Sequence, residues 1–109
     1  MAKLIDIDEG LLRLGGNEQI FKTLLRKFVD NPYYESLSTN IINNNLAEAH
    51  HNAHTIKGTS GNLSLTALYQ IATSLDAALK EEGDIQSLFD EFKIIYQDTM
   101  EEIHLYTSM

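Results

Sequence analysis

Apolar residues recur along almost the whole chain at alternating steps of three and four, and nowhere do they sustain a period of two. That spacing lines one side of an α-helix, whereas strands need alternation. Ile20, Phe21, Leu24, Leu25 and Phe28 form one such stripe. Leu46, Ala49, Ala53, Ile56, Ser60 and Leu63 form another. Leu65, Leu68, Ala72, Leu75 and Leu79 form a third, and Ile85, Leu88, Phe92, Ile95, Thr99 and Ile103 a fourth. Amphipathic helices joined by short turns must bury their stripes against one another. The expected fold is all-α, an antiparallel four-helix bundle preceded by a short extra N-terminal helix, with residues 1–109 forming a single domain. Leu46, Ala53, Ile56, Leu63, Leu68, Leu75, Phe92 and Ile95 are expected inside.

Turn signals place the breaks. The short helix spans about Asp6 to Leu14, Gly15-Gly16 stops it, and Asn17 caps the next. Pro32 either kinks a continuous helix or stands in the first turn of a new one. Apolar spacing then resumes with Tyr34, Leu37 and Ile41. Asn43-Asn44-Asn45 is a turn and cap cluster, and Gly83-Asp84 reads as a stop followed by a cap. Aromatic residues fall mostly on the stripes and read as core.

Composition excludes several functions. A chain of 109 residues suits one domain and can hide roughly 60–70% of its unfolded surface. It has no cysteine, which removes disulfides, thiol catalysis and Cys-based zinc sites and fits a reducing compartment. No apolar run approaches the roughly 18–20 residues of a membrane span, and the N-terminus turns acidic at once, unlike a signal peptide. The net charge of −8 opposes nucleic-acid binding. Arg13, Lys22, Arg26 and Lys27, spaced with Glu18, read as a solvated helix face.

The stretch that carries chemistry is Ala53-His54-Thr55-Ile56-Lys57-Gly58-Thr59-Ser60-Gly61. With Ala53, Ile56 and Ser60 buried, the 100° step per residue sets His54 at the edge of the stripe or outside it. His50, Lys57, Gly58 and Gly61 share its face. Glycine inside a helix costs about 1 kcal/mol against alanine. Two on one face have two readings: they clear space for a partner at His54, or Gly61 ends the helix and Gly58 admits a neighbouring helix. Lys57 is the only basic residue between Lys27 and Lys80. It is either a counter-charge for an anion on the imidazole or an ordinary surface lysine. An imidazole with an ordinary pKa near 6.5 offers a neutral nucleophilic nitrogen at pH 7. Phosphoryl transfer needs chiefly positioning and charge neutralisation, which an open face permits. His50 and His54, with Glu48 as a third ligand, also admit a metal reading, but without the H-E-x-x-H pattern.

At these residues, continuing through Asn62-Leu63, the sequence resembles the histidine-containing phosphotransfer (HPt) domain family of multistep phosphorelays, whose pattern is A-H-x-L-K-G-x-x-x-x-[LIV]. Gly10-Leu11-Leu12-Arg13-Leu14-Gly15-Gly16-Asn17 and Leu75-Asp76-Ala77-Ala78-Leu79 extend the likeness. The resemblance implies that His54 is the phosphoacceptor through its outer ring nitrogen. Lys57 would neutralise the phosphoryl group and Gly58 would leave room for the partner. The implied partners are receiver domains of response regulators, fed by or joined to a hybrid sensor histidine kinase. The chain itself would be a phosphoryl carrier, not a kinase. It would act as a monomer in the cytoplasm, alone or as the cytoplasmic module of a membrane sensor kinase. It would hold no cofactor, Mg²⁺ being supplied by the receiver. Many members place Gln or Glu one helix later to hold the inner ring nitrogen. The matching residue here is the shorter Asp76, which either accepts that bond or stands as a solvated surface acid. The alternatives are a helical scaffold module without chemistry at His54, and a metal-binding bundle using His50 and His54.

Overall fold

The computed structural model describes residues 3–81 and 83–109. Among them the regular structure is entirely helical: α1 (Ile7–Arg13), α2 (Glu18–Val29), α3 (Tyr33–Ile42), α4 (Leu46–Asn62), α5 (Thr66–Glu81) and α6 (Ile85–Thr107).

Local chemistry explains the ends. Side chains of Asp6, Asn17 and Asp84 accept from the N–H groups of Glu9, Ile20 and Ser87. Each satisfies a donor that the first helical turn leaves free. Three helices end alike, on a residue in the left-handed region: Gly15 at φ 66°, Asn44 at 58° and Ser64 at 57°. The next N–H then reaches back five residues, from Gly16 to Leu11, Asn45 to Asn40 and Leu65 to Ser60. This is the Schellman closure. Gly15-Gly16 and the turn at the asparagine cluster therefore act as expected, although Asn45 stands at the N-cap of α4 without a side-chain capping bond. The third stop is at Ser64, and Gly61 lies inside α4 instead of ending it.

Pro32 stands at the N-cap of α3, so α2 and α3 are separate helices. Asn31, just before it, donates its side-chain amide to the Phe28 carbonyl and, at 3.0 Å, to the Tyr96 hydroxyl. The break is thereby held against α6. Burial pushes the Tyr96 hydroxyl pKa up, while the Asn31 bond opposes the shift.

Packing runs around the molecule: α3 on α4, α4 on α5, α5 on α6, and α6 on α2. Aromatic pairs set one register. Phe21 meets Tyr106, Phe28 meets Tyr96 and Tyr34 meets Phe92, with ring centroids 5.9, 6.2 and 6.2 Å apart. Numbers rise on one side as they fall on the other, so α2 and α3 run antiparallel to α6. Ala53, Ile56, Leu63, Leu68, Leu75 and Phe92 are buried as expected. Leu46 and Ile95 are only partly buried, packed against the core from its margin. On α4 the inward side is small and partly polar: Ala49, Asn52, Ala53, Ile56 and Ser60. Asn40 of α3 donates to the buried Asn52 at 2.7 Å.

One expectation needs correction. Lys22 does pair with Glu18 one turn away at 3.3 Å, but it is not simply solvated. It donates to the Met109 carbonyl, and Arg26 donates to the Thr107 carbonyl. Both cations thus meet the carbonyl end of α6, where the helix dipole favours positive charge. Tyr69 and Tyr33, which lie off the apolar stripes, are substantially exposed.

The N-terminal segment is latched over the α4–α5 turn. Asp6 N–H donates to the Ser64 carbonyl at 2.8 Å, and Ala67 N–H to the Lys3 carbonyl at 2.9 Å. The Ser64 hydroxyl donates to Glu9 Oε1 at 2.8 Å. Gly10 faces Phe21, and a Cβ there would lie 2.4 Å from the buried ring. Gly10→Ala should therefore destabilise by about 1–3 kcal/mol through overpacking, despite alanine's better helix propensity. Urea unfolding measures this; an unchanged midpoint would show that α1 docks loosely.

Candidate functional site

His54 lies on α4 one step from the buried Ala53, and its side chain is 67% exposed. Lys57 is half-buried, Gly58 is exposed, and both border the same open cleft of about 510 Å³. A Cβ built at Gly58 meets nothing within 4 Å, so no neighbouring helix requires a glycine there. The packing explanation fails for Gly58, whereas Gly61, read as a helix end, is the glycine that a neighbouring side chain packs against. A Cβ at Gly61 would sit 3.0 Å from the Tyr69 ring, which leans into the space the glycine leaves.

Asp76 reaches this face from α5. It follows the buried Leu75 by one residue, just as His54 follows Ala53, so the facing edges of the two helices bring them together. Its side chain is only 14% exposed, and it is no solvated acid. One oxygen, Oδ2, lies 3.5 Å from His54 Nδ1 and 3.8 Å from Lys57 Nζ. The other, Oδ1, lies 2.9 Å from His50 Nε2. Despite that short separation, Oδ1 has no aligned hydrogen-bond donor. The contact is one of proximity, without the alignment a hydrogen bond needs. The His54 contact, at 3.5 Å, is likewise an ion-pair separation longer than an ordinary hydrogen bond.

This geometry orients the imidazole. Nδ1 faces a carboxylate, so a proton is favoured on Nδ1 and the lone pair on Nε2. With Nδ1 turned toward α5, Nε2 is the nitrogen on the open side of the ring. The face offers a directed nucleophile, a lysine one turn along and a gap where a side chain would otherwise stand. His51 is exposed and joins none of the ion pairs at Asp76. Among the described residues, no group of three His, Asp or Glu side chains is placed to hold a metal. Glu48 is exposed in the first turn of α4 and takes no part at Asp76.

Sequence reasoning brought His54, Lys57, Gly58 and Asp76 forward, and the structure gathers all four. It missed Tyr69 and Arg13, which also line the cleft, and the close approach of His50 to Asp76. For Tyr69 a signal existed: Tyr69, Thr73 and Asp76 are spaced i, i+4 and i+7 on α5 and share a face. For Arg13 there was none, because its place depends on the latch between α1 and the Ser64 turn. Arg13 also pairs with Glu9 at 3.3 Å.

No described helix is long and apolar enough to cross a membrane. No curated protein and no solved structure matched the sequence. A family model for the Hpt domain matches residues 23–104, a span that includes His54, Lys57, Gly58 and Asp76. Matched over most of its length, the chain belongs to the Hpt domain family.

Proposed function

We propose that this chain, acting as one domain, relays a phosphoryl group between His54 and aspartates of response-regulator receiver domains. The family is one of phosphohistidine carriers in two-component phosphorelays. The observation that carries the assignment to His54 is the Asp76 contact at 3.5 Å, which directs Nε2 of an exposed ring outward beside Lys57 and the bare Gly58. In transfer from a receiver, the P–O bond of an aspartyl phosphate breaks and a P–Nε2 bond forms, returning the carboxylate to the receiver. Asp76 holds the Nδ1 proton and offsets the positive charge that the ring gains. Lys57 offsets the charge on the phosphoryl oxygens. The reverse step needs the same atoms.

The scaffold fits this chemistry as an antiparallel four-helix bundle in which α2 and α3 share one leg and α1 is the extra helix. The domain holds no cofactor of its own, with Mg²⁺ and the acidic site coming from the receiver. It has no autonomous kinase activity, acts as a monomer, and works in the cytoplasm, alone or supplied by a hybrid sensor kinase.

Incubation with a phosphorylated receiver tests the reading. The labelled product should be acid-labile and base-stable; an acid-stable, base-labile label would place the phosphate elsewhere. Lys57→Ala should slow transfer by about two- to tenfold with the product still on His54. A half-buried cation near solvent is screened, so its loss should not abolish the step. A rate unchanged from wild type would remove Lys57 from the mechanism.

A further inference from the structure

The Asp76 carboxylate is divided between two histidines, and only one of them belongs to the transfer step. His50 Nε2 sits 2.9 Å from Oδ1, closer than either His54 or Lys57 comes to Oδ2. The two imidazoles stand one helical turn apart with ring centroids 6.3 Å from each other. Asp76 is mostly buried, and Oδ1, which has no aligned hydrogen-bond donor, has His50 Nε2 as its one ion-pair neighbour among the described residues. From these contacts we infer that His50 is a positioning residue: it holds Oδ1 so that Oδ2 faces His54 Nδ1. This rests on His54 being the acceptor, and it adds a residue that acts without touching the phosphoryl group.

The physical reason lies in the short reach of aspartate. A carboxylate on one methylene has a single free torsion beyond χ1. Its plane is set by whatever holds its two oxygens. Lys57 pulls on the same oxygen that His54 uses, at comparable distance. Without His50, the carboxylate is free to turn toward the ammonium and water, and the His54 N–H loses its acceptor. A neutral imidazole then distributes its proton between the two nitrogens. Every molecule with the proton on Nε2 has no lone pair to offer. His50 therefore raises the fraction of His54 in the reactive tautomer.

The test compares His50→Phe, which removes the donor at similar bulk, with His50→Gln, which retains an N–H donor. Residue 50 is partly exposed, so both variants keep the core intact; thermal melting checks this. The direct readout is the ¹⁵N spectrum of the His54 ring at about pH 8.5, roughly two units above an ordinary imidazole pKa. That spectrum needs no receiver. The wild type should carry its proton mainly on Nδ1, His50→Phe should shift toward Nε2–H, and His50→Gln should stay near wild type. Transfer from a phosphorylated receiver should slow by about three- to tenfold in His50→Phe, the size of one modest hydrogen bond expressed as a rate, and recover in His50→Gln. An unchanged tautomer in His50→Phe, or a His50→Gln protein that behaves like it, overturns the inference. Absence of labelling in the wild type would instead contradict the transfer function, while the tautomer comparison would still decide the role of His50.

Discussion

A His54→Gln protein folds as the wild type does and takes up no phosphoryl group from a receiver. The fold should survive because the ring is 67% exposed and contributes little to the core. Glutamine is also a good helix former. The chemistry should vanish because an amide nitrogen has no available lone pair. No neighbour can take over: His50 turns Nε2 toward Asp76, and His51 lies outside the Asp76 cluster. Thermal melting and receiver-dependent labelling, run side by side, check both halves. Label at the wild-type level in this variant would move the acceptor elsewhere. If that label then disappeared in His50→Gln, the site would lie one turn earlier on α4.

Gly58→Leu should separate folding from access. A side chain at residue 58 meets open space, and leucine lifts the helix-propensity penalty of about 1 kcal/mol that glycine imposes. The variant should therefore melt at the wild-type temperature or a few degrees higher, on the order of 4–8 °C per kcal/mol. Transfer should nonetheless fall by about tenfold or more, since each 1.36 kcal/mol of lost transition-state contact is a factor of ten. The new isobutyl group would stand one turn from His54 on the face a receiver must approach. Normal transfer would dispose of the access argument, and a loss of helix would mean that Gly58 serves packing after all.

The parts of this molecule legible in its sequence are those set by local periodicity. The stripe through Ala53, Ile56, Ser60 and Leu63 placed α4 with the correct side inward, and with it His54, Lys57 and Gly58 on one outer face. Leu75 did the same for Asp76 on α5. Helix starts at Asp6, Asn17 and Asp84 were readable because a capping side chain acts on a backbone N–H only a few residues away. Contacts between distant segments were not. Ser64 closes α4 in a left-handed conformation that serine seldom adopts, and its hydroxyl is held by Glu9, 55 residues away. Lys22 and Arg26 read as solvated because the carbonyls they meet lie more than 80 residues further along the chain. Gly58 and Gly61 look alike in sequence, and only the ring of Tyr69 distinguishes them.

The central claim is that Asp76 turns His54 so that Nε2 is the nucleophile, and it is tested most directly by finding the atom that carries phosphorus. The ¹⁵N-labelled protein, phosphorylated by a receiver, should show ¹⁵N–³¹P coupling at Nε2 of His54 while Nδ1 keeps its proton. Coupling at Nδ1, or at a nitrogen of His50 or His51, would contradict the account.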